Sequence, residues 1–181
     1  MAYPIRNQQG LYFLTFTVVN WINLFTRPCY NDVVIDSLRF CQEKKVLELY
    51  AYCLMSNHLH LIAHAADDYA LSDIVRDFKK FTSHTLFKMV ETNQQESRQK
   101  WLSWLFRSEG AFNSNNEVAQ IWQQRSHHVE LSTEEMVRQR LNYTHLNPVR
   151  AGICYQAEDY VYSSASFYAG LETRLPVTLL F

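Results

Sequence analysis

The run Asn57-His58-Leu59-His60-Leu61-Ile62 constrains the chain more than any other. Histidine alternates with leucine, and along a strand alternate side chains share a face. His58 and His60 therefore point one way, with α-carbons roughly 7 Å apart, while Leu59 and Leu61 anchor the opposite face in a core. Two imidazoles at that spacing can bind one divalent metal ion. A pair of partly buried polar residues gives the same pattern, so the run alone does not decide. His64 shares the face but lies roughly 13 Å beyond His60, too far for the same ion, and reads as a rim residue.

The surrounding chain supplies a sheet for this strand. Residues 11–19 are β-branched and aromatic without Gly or Pro, predicting a central strand. Asn31 or Asp32 can cap a helix running to Lys44. Residues 46–54 read as a strand with Glu48, Tyr50 and Tyr52 on one face and Leu47, Leu49, Ala51 and Cys53 on the other. The turn Met55-Ser56-Asn57 makes this strand and the histidine strand an antiparallel hairpin. Residues 69–90 carry Leu71, Ile74, Val75, Phe78, Phe81, Thr82 and Leu86 at helical spacing. Arg76, Lys79 and Lys80 ride that helix, either as a solvated face or as a ridge that tracks phosphates.

Residues 91–117 are polar and rich in amides, and they read as an excursion from the core. Trp101 and Trp104 inside it serve either packing or base stacking. Ser132-Thr-Glu-Glu135 forms a capping box for a helix from 133 to about 146, where Pro148 disfavours helical geometry in its predecessor. Val137, Leu141 and Thr144 make one face of that helix, and Met136, Arg140, Tyr143 and Asn147 another. The tail reads as globular and can add an edge strand. The element order predicts an α+β sandwich with an antiparallel sheet, built as one domain over residues 1–181.

Composition bounds the function. With 48% hydrophobic residues the chain is globular. A net charge of −1 means that a nucleic-acid site must come from a local patch. The four cysteines form no C-x-x-C pair, which predicts reduced thiols. No apolar run reaches membrane-spanning length and the N-terminus does not read as a signal peptide, so the expected location is cytoplasmic, without membrane contact.

Two strings together carry a resemblance. Ser56-Asn57-His58-Leu59-His60 and Tyr143-Thr144-His145-Leu146-Asn147-Pro148-Val149-Arg150-Ala151-Gly152 resemble the histidine and tyrosine motifs of the single-tyrosine HUH transposases, most closely the REP-associated tyrosine transposases. HUH denotes histidine, hydrophobic residue, histidine. Ile121-Trp122-Gln123 and Tyr162-Ser163-Ser164 are similar to further landmarks of that family. The resemblance implies a ferredoxin-like fold with the tyrosine helix packed beside the metal site. It also implies Tyr143 as the catalytic nucleophile and Asn147 as a metal ligand beside His58 and His60.

The implied activity is metal-dependent cleavage and rejoining of single-stranded, hairpin-bearing DNA, with REP-like or inverted-repeat ends, through a 5′-phosphotyrosine. The cofactor would be Mg²⁺ or Mn²⁺, acting as a Lewis acid on the scissile phosphate. Arg140, on the same helix face, is a candidate for assisting the phenol or steadying a phosphate, as Arg76, Lys79 and Lys80 are for DNA binding. Relatives act as monomers or homodimers, and either is compatible with the sequence. Two other readings stand beside this one. A catalytically silent DNA-binding protein of the same descent would not need the intact Tyr143, His58, His60 and Asn147 set. A metal-dependent phosphohydrolase would need carboxylate ligands, and neither string contains Asp or Glu.

Overall fold

The first predicted strand becomes β1, Tyr12–Thr17. It is central: the sheet includes β2, Leu47–Leu54, β3, His58–Ala65, and β4, His127–Glu130, in the order β2-β3-β1-β4, with every pairing antiparallel. Helix α1, Pro28–Lys44, joins β1 to β2, and α2, Leu71–Thr92, leads from β3 towards β4. Strand–helix–hairpin–helix–strand with this order is the ferredoxin-like α+β sandwich. The computed structural model describes residues 5–66, 68–111 and 118–181.

Alternation in the strands builds two cores. Leu14 and Phe16 of β1 and Leu59 and Leu61 of β3 face α1 and α2, where Leu38, Ile74 and Phe78 close the larger core. Phe13 and Ile62 face the other way. There α4, Glu134–Arg150, lays Val137 and Leu141 over them. The sheet thus separates α1 and α2 from α4.

Several local features depart from the sequence expectations. Helix α1 starts at Pro28, so Asn31 and Asp32 lie inside the helix rather than at its cap. Pro28 suits the first helical position because its missing N–H would find no partner there and its φ is preset. In β2 the register shifts between Leu49 and Ala51, a bulge that reverses the side-chain alternation beyond it. Tyr52 and Leu54 therefore join Leu47 and Leu49 in the larger core, while Tyr50 and Ala51 face α4. Phe81 was expected in the core but is 61% exposed. The buried stripe of α2 runs through Phe78, Thr82 and Leu86, and Phe81 lies off it.

The excursion contains a helix, α3, Gln99–Ala111. Leu102 and Phe106 bury it in the larger core, whereas Trp101 and Trp104 stay exposed. The stretch Gly110–Asn116 falls mostly outside the described residues.

Helix α4 begins one residue later than the capping box suggested, because Thr133, not Ser132, accepts the Met136 amide (3.2 Å). Nor does it stop before Pro148, which is buried within its last turn. The end comes at Gly152, whose φ of +71° lets its amide reach Val149 O (3.0 Å) and that of Ile153 reach Pro148 O (2.9 Å), a Schellman closure. In the tail, the described residues form a 3-10 turn at Ala157–Asp159 and the helical turn α5, Ala165–Tyr168, with no edge strand. The Thr178 amide bonds Leu49 O at the β2 bulge (2.9 Å).

Candidate active site

The face of β3 turned towards α4 carries His58 and His60, with ring centroids 4.6 Å apart. β1 places Thr17 and Thr15 opposite them, and Cys53 of β2 flanks His60 on the other side. Helix α4 crosses so that Tyr143 and Asn147, one turn apart, both meet His60. The Tyr143 ring lies edge-on to it at 5.3 Å, and Asn147 Nδ2 donates to His60 Nε2 at 3.1 Å. Phe13 packs beneath, stacked on His60 at 5.2 Å and edge-on to Tyr143 at 5.9 Å.

A hydrogen-bond relay sets the imidazoles. Asn57 Nδ2 donates to Trp21 O (3.3 Å), which turns Asn57 Oδ1 towards His58 Nδ1 (2.6 Å). An amide oxygen only accepts, so His58 carries its proton on Nδ1 and keeps a lone pair on Nε2. His60 accepts from Asn147 at Nε2 and therefore donates from Nδ1 to Thr15 Oγ1 (2.9 Å). Burial lowers the pKa of His58, and it lowers that of His60, which is 3% exposed, to about 3, helped by the charges of His58 and Arg140. Both rings are neutral near pH 7; the His58 Nε2 lone pair can meet an electrophile directly, and that of His60 can do so once the Asn147 amide that donates to it turns away.

The predicted cations divide between the two sides of the sheet. Arg140 lies over Phe13 (5.0 Å to the centroid) and Tyr143 (5.9 Å), on the histidine side. The three α2 residues are on the far side and do not form a common ridge. Arg76 pairs with Asp73 (2.6 Å) and Asp77 (3.0 Å). Lys79 is folded under the segment after Trp122, donating to Gln123 O (2.8 Å) and Ser126 Oγ (2.9 Å), and burial lowers its pKa to about 8. Lys80 is exposed. His64 sits at the rim as expected, paired with Glu48 at 3.0 Å.

Four residues at this locus were given no role from the sequence: Thr15, Phe13, Trp21 and Arg150. Arg150 covers the Tyr143 ring at 5.5 Å, and its spacing of seven from Tyr143 was the available signal. Neither Arg140 nor Arg150 has a carboxylate partner among the described residues.

Residues 9–109, more than half of the chain, match the family described as IS200-like transposases. That span holds both histidines and ends before α4. Among solved structures, a REP-associated tyrosine transposase bound to a REP hairpin superposes with a TM-score of 0.63 at 18% identity, over 100% of this chain and 94% of the other. A putative transposase from Deinococcus radiodurans R1 gives 0.45 at 16% identity, over 79% and 95%. No curated protein sequence matches the chain. The fold is that of a REP-associated tyrosine transposase. The chain belongs to the IS200-like transposase family, a family of DNA-cleaving enzymes.

Transposases of this type generally use a divalent metal ion, and the residues present fit one. Among the described residues no three His, Cys, Asp or Glu side chains cluster to hold an ion. A site here thus rests on the two Nε2 lone pairs plus an amide oxygen, which Asn147 presents if its side-chain amide turns over. Hydrogen bonds from the Nδ1 side, His58 to Asn57 Oδ1 and His60 to Thr15 Oγ1, already orient both rings, as ligating histidines require.

The buried imidazoles also predict an acid-labile protein. His60 and His145, the latter lowered by burial to about 4 and bonded to Ser164 Oγ (2.9 Å), both stay neutral in the fold. Unfolded, each titrates near 6.5. Their folded pKa values are depressed, so the unfolded chain binds more protons below that value and stability falls as the pH drops. Urea unfolding of metal-free protein should lose about 2 kcal/mol per histidine between pH 7 and pH 5. His145→Gln should flatten the profile, and an unchanged slope would contradict the assignment.

Proposed function

We propose that the chain is a metal-dependent single-strand DNA transesterase that cuts and rejoins hairpin-bearing ends through a 5′-phosphotyrosine on Tyr143. The observation that carries this reading is the meeting of Tyr143, Asn147, His58 and His60 at one locus, with Arg140 and Arg150 over the tyrosine ring. The REP hairpin held by the structural neighbour supports a folded single strand as the substrate class.

His58, His60 and Asn147 would hold a Mg²⁺ or Mn²⁺ ion, which supplies Lewis-acid polarisation of the scissile phosphate. Tyr143 Oη attacks phosphorus as its proton passes to water. The P–O3′ bond breaks and the departing 3′ oxygen takes up a proton, so one phosphodiester is exchanged for another and no external energy source is needed. The 3′-hydroxyl of an incoming strand reverses the step. Arg140 and Arg150 place positive charge where phosphate oxygens gather. The intact residue set favours an enzyme over a silent binding protein. Metal-dependent nicking of a hairpin oligonucleotide, with one fragment left on the protein, tests the reading.

The cations that meet the DNA are assigned to α4 rather than α2, since Arg76, Lys79 and Lys80 lie across the sheet from the tyrosine. Affinity for a single-stranded hairpin should fall linearly on a log–log plot against salt. Arg140→Gln or Arg150→Gln should each flatten that slope by about 0.7, as one phosphate contact is lost. Arg76→Gln should leave it unchanged. The reverse pattern in fluorescence anisotropy would return the DNA to α2.

A further inference from the structure

Between β1 and α1 the chain makes a tight turn, Val19–Trp21, in which two successive non-glycine residues are left-handed: Asn20 at φ +52° and Trp21 at φ +55°. A bulky aromatic residue in that region is a genuine outlier and persists only where its surroundings hold it. Here they do. Trp21 N donates to Val18 O (3.1 Å), Val19 N to Ile121 O (2.8 Å) and Val18 N to Asn57 O (2.9 Å), while Asn20 Nδ2 donates to Glu109 Oε1 on α3 (2.8 Å). The Trp21 carbonyl is the one that fixes Asn57, and through it His58.

The side chain gains little packing from this backbone. Trp21 is 62% exposed, with its ring edge-on to His58 at 6.4 Å. Trp122 is buried in the larger core. Trp101 and Trp104 are exposed on α3, and the nearby Arg98, just before the helix, and Arg107, on it, are paired with Glu96 and Glu91. Trp21 is thus the exposed tryptophan with a ring contact to a site histidine among the described residues.

We infer that Trp21 is a nucleobase-stacking platform, receiving the unpaired base of a nucleotide that adjoins the scissile phosphate. This rests on the single-strand reading above and adds a binding subsite to it. An indole face takes any base, so the subsite grips single-stranded DNA without reading its sequence. Duplex DNA, whose bases are already stacked, cannot use it. The turn that presents the indole also fixes the His58 tautomer, so base and phosphate would be registered by one rigid piece of backbone.

The test uses Trp21→Gly. Glycine adopts φ +55° without strain and keeps the carbonyl that holds Asn57, so the fold should persist and the thermal midpoint should not fall. In a Tyr143→Phe background with Mn²⁺, the probe is a short DNA hairpin flanked by thymidine tails, compared with the same hairpin carrying abasic tails. Trp21→Gly should weaken binding of the thymidine-tailed probe by about 5- to 150-fold and leave the abasic probe unaffected. Trp21→Phe, which keeps a stacking ring, should recover part of the loss. Equal losses on both probes, or no loss on either, would overturn the inference while leaving the transesterase reading intact. If the protein with Trp21 intact binds neither probe, the single-strand reading fails and the stacking site fails with it.

Discussion

Replacing Tyr143 with phenylalanine is expected to abolish two products together: the cut strand and a protein–DNA adduct. With a 3′-labelled hairpin substrate and Mn²⁺ or Mg²⁺, the wild-type protein should carry label through a denaturing gel, because the strand downstream of the cut stays attached by its 5′ phosphate. An equal amount of fragment ending in a 3′-hydroxyl should appear. Tyr143→Phe removes only the attacking oxygen. The ring keeps its edge contacts with His60 and Phe13, so folding and hairpin binding should survive. Tyr155, Tyr160 and Tyr162 could supply a phenol only if one reached the histidines. Tyr155 is 98% exposed on the segment after α4, and Tyr160 is committed to Leu54 O at 2.7 Å. Cleavage without a labelled protein band, or a band that survives the substitution, would end the tyrosine mechanism and leave water as the nucleophile.

The site was legible where local periodicity coincides with tertiary placement. The His–Leu alternation through His58–Leu61 set the face of both histidines, and helical spacing set Tyr143 and Asn147 as neighbours one turn apart. Neither pattern states that the two faces meet. Only the resemblance joined them, and the packing of α4 over Phe13 and Ile62 supplies the physical reason. Alternation misled in β2, because a single bulge reverses every later residue and leaves no mark in Leu-Glu-Leu-Tyr-Ala-Tyr. At the end of α4 Pro148 reads as a stop, while the actual stop needs a left-handed residue, and Gly152 is that residue.

The basic cluster on α2 shows a different limit. Positions 76, 79 and 80 are spaced i, i+3, i+4 and share one helix face, yet their partners divide them. Arg76 turned to two aspartates, and Lys79 to backbone carbonyls of the segment that follows Trp122. Charge on a helix says nothing about which side of a sheet the helix will cover. Thr15 was invisible for a related reason: its hydroxyl matters only because β1 happens to pair it with His60.

The histidine pair yields the other large expected effect, and it separates ligand from scaffold. His58→Ala or His60→Ala should abolish cleavage while leaving hairpin binding largely intact, since Arg140 and Arg150, the proposed phosphate contacts, sit on α4. Titration calorimetry with Mn²⁺ should show the loss directly, without reference to turnover. Asn147→Ala should weaken Mn²⁺ binding by roughly 10- to 100-fold if it completes the set. Thr15→Val offers a sharper control. It removes the acceptor that holds His60 Nδ1–H but leaves His58, His60 and Asn147, the proposed ligands, in place, so its effect should be an intermediate loss of affinity. Imidazole ligands favour Mn²⁺ over Mg²⁺, so the wild-type protein should bind Mn²⁺ more tightly, and the preference should narrow as either histidine is removed. The opposing expectation is equally definite. If the histidines only fill a polar gap between β3 and α4, then His60→Ala leaves a cavity beside Phe13 and lowers stability, but Mn²⁺ affinity and metal-dependent cutting persist. Full activity of the double histidine variant with Mn²⁺ would remove the metal from this face of the sheet.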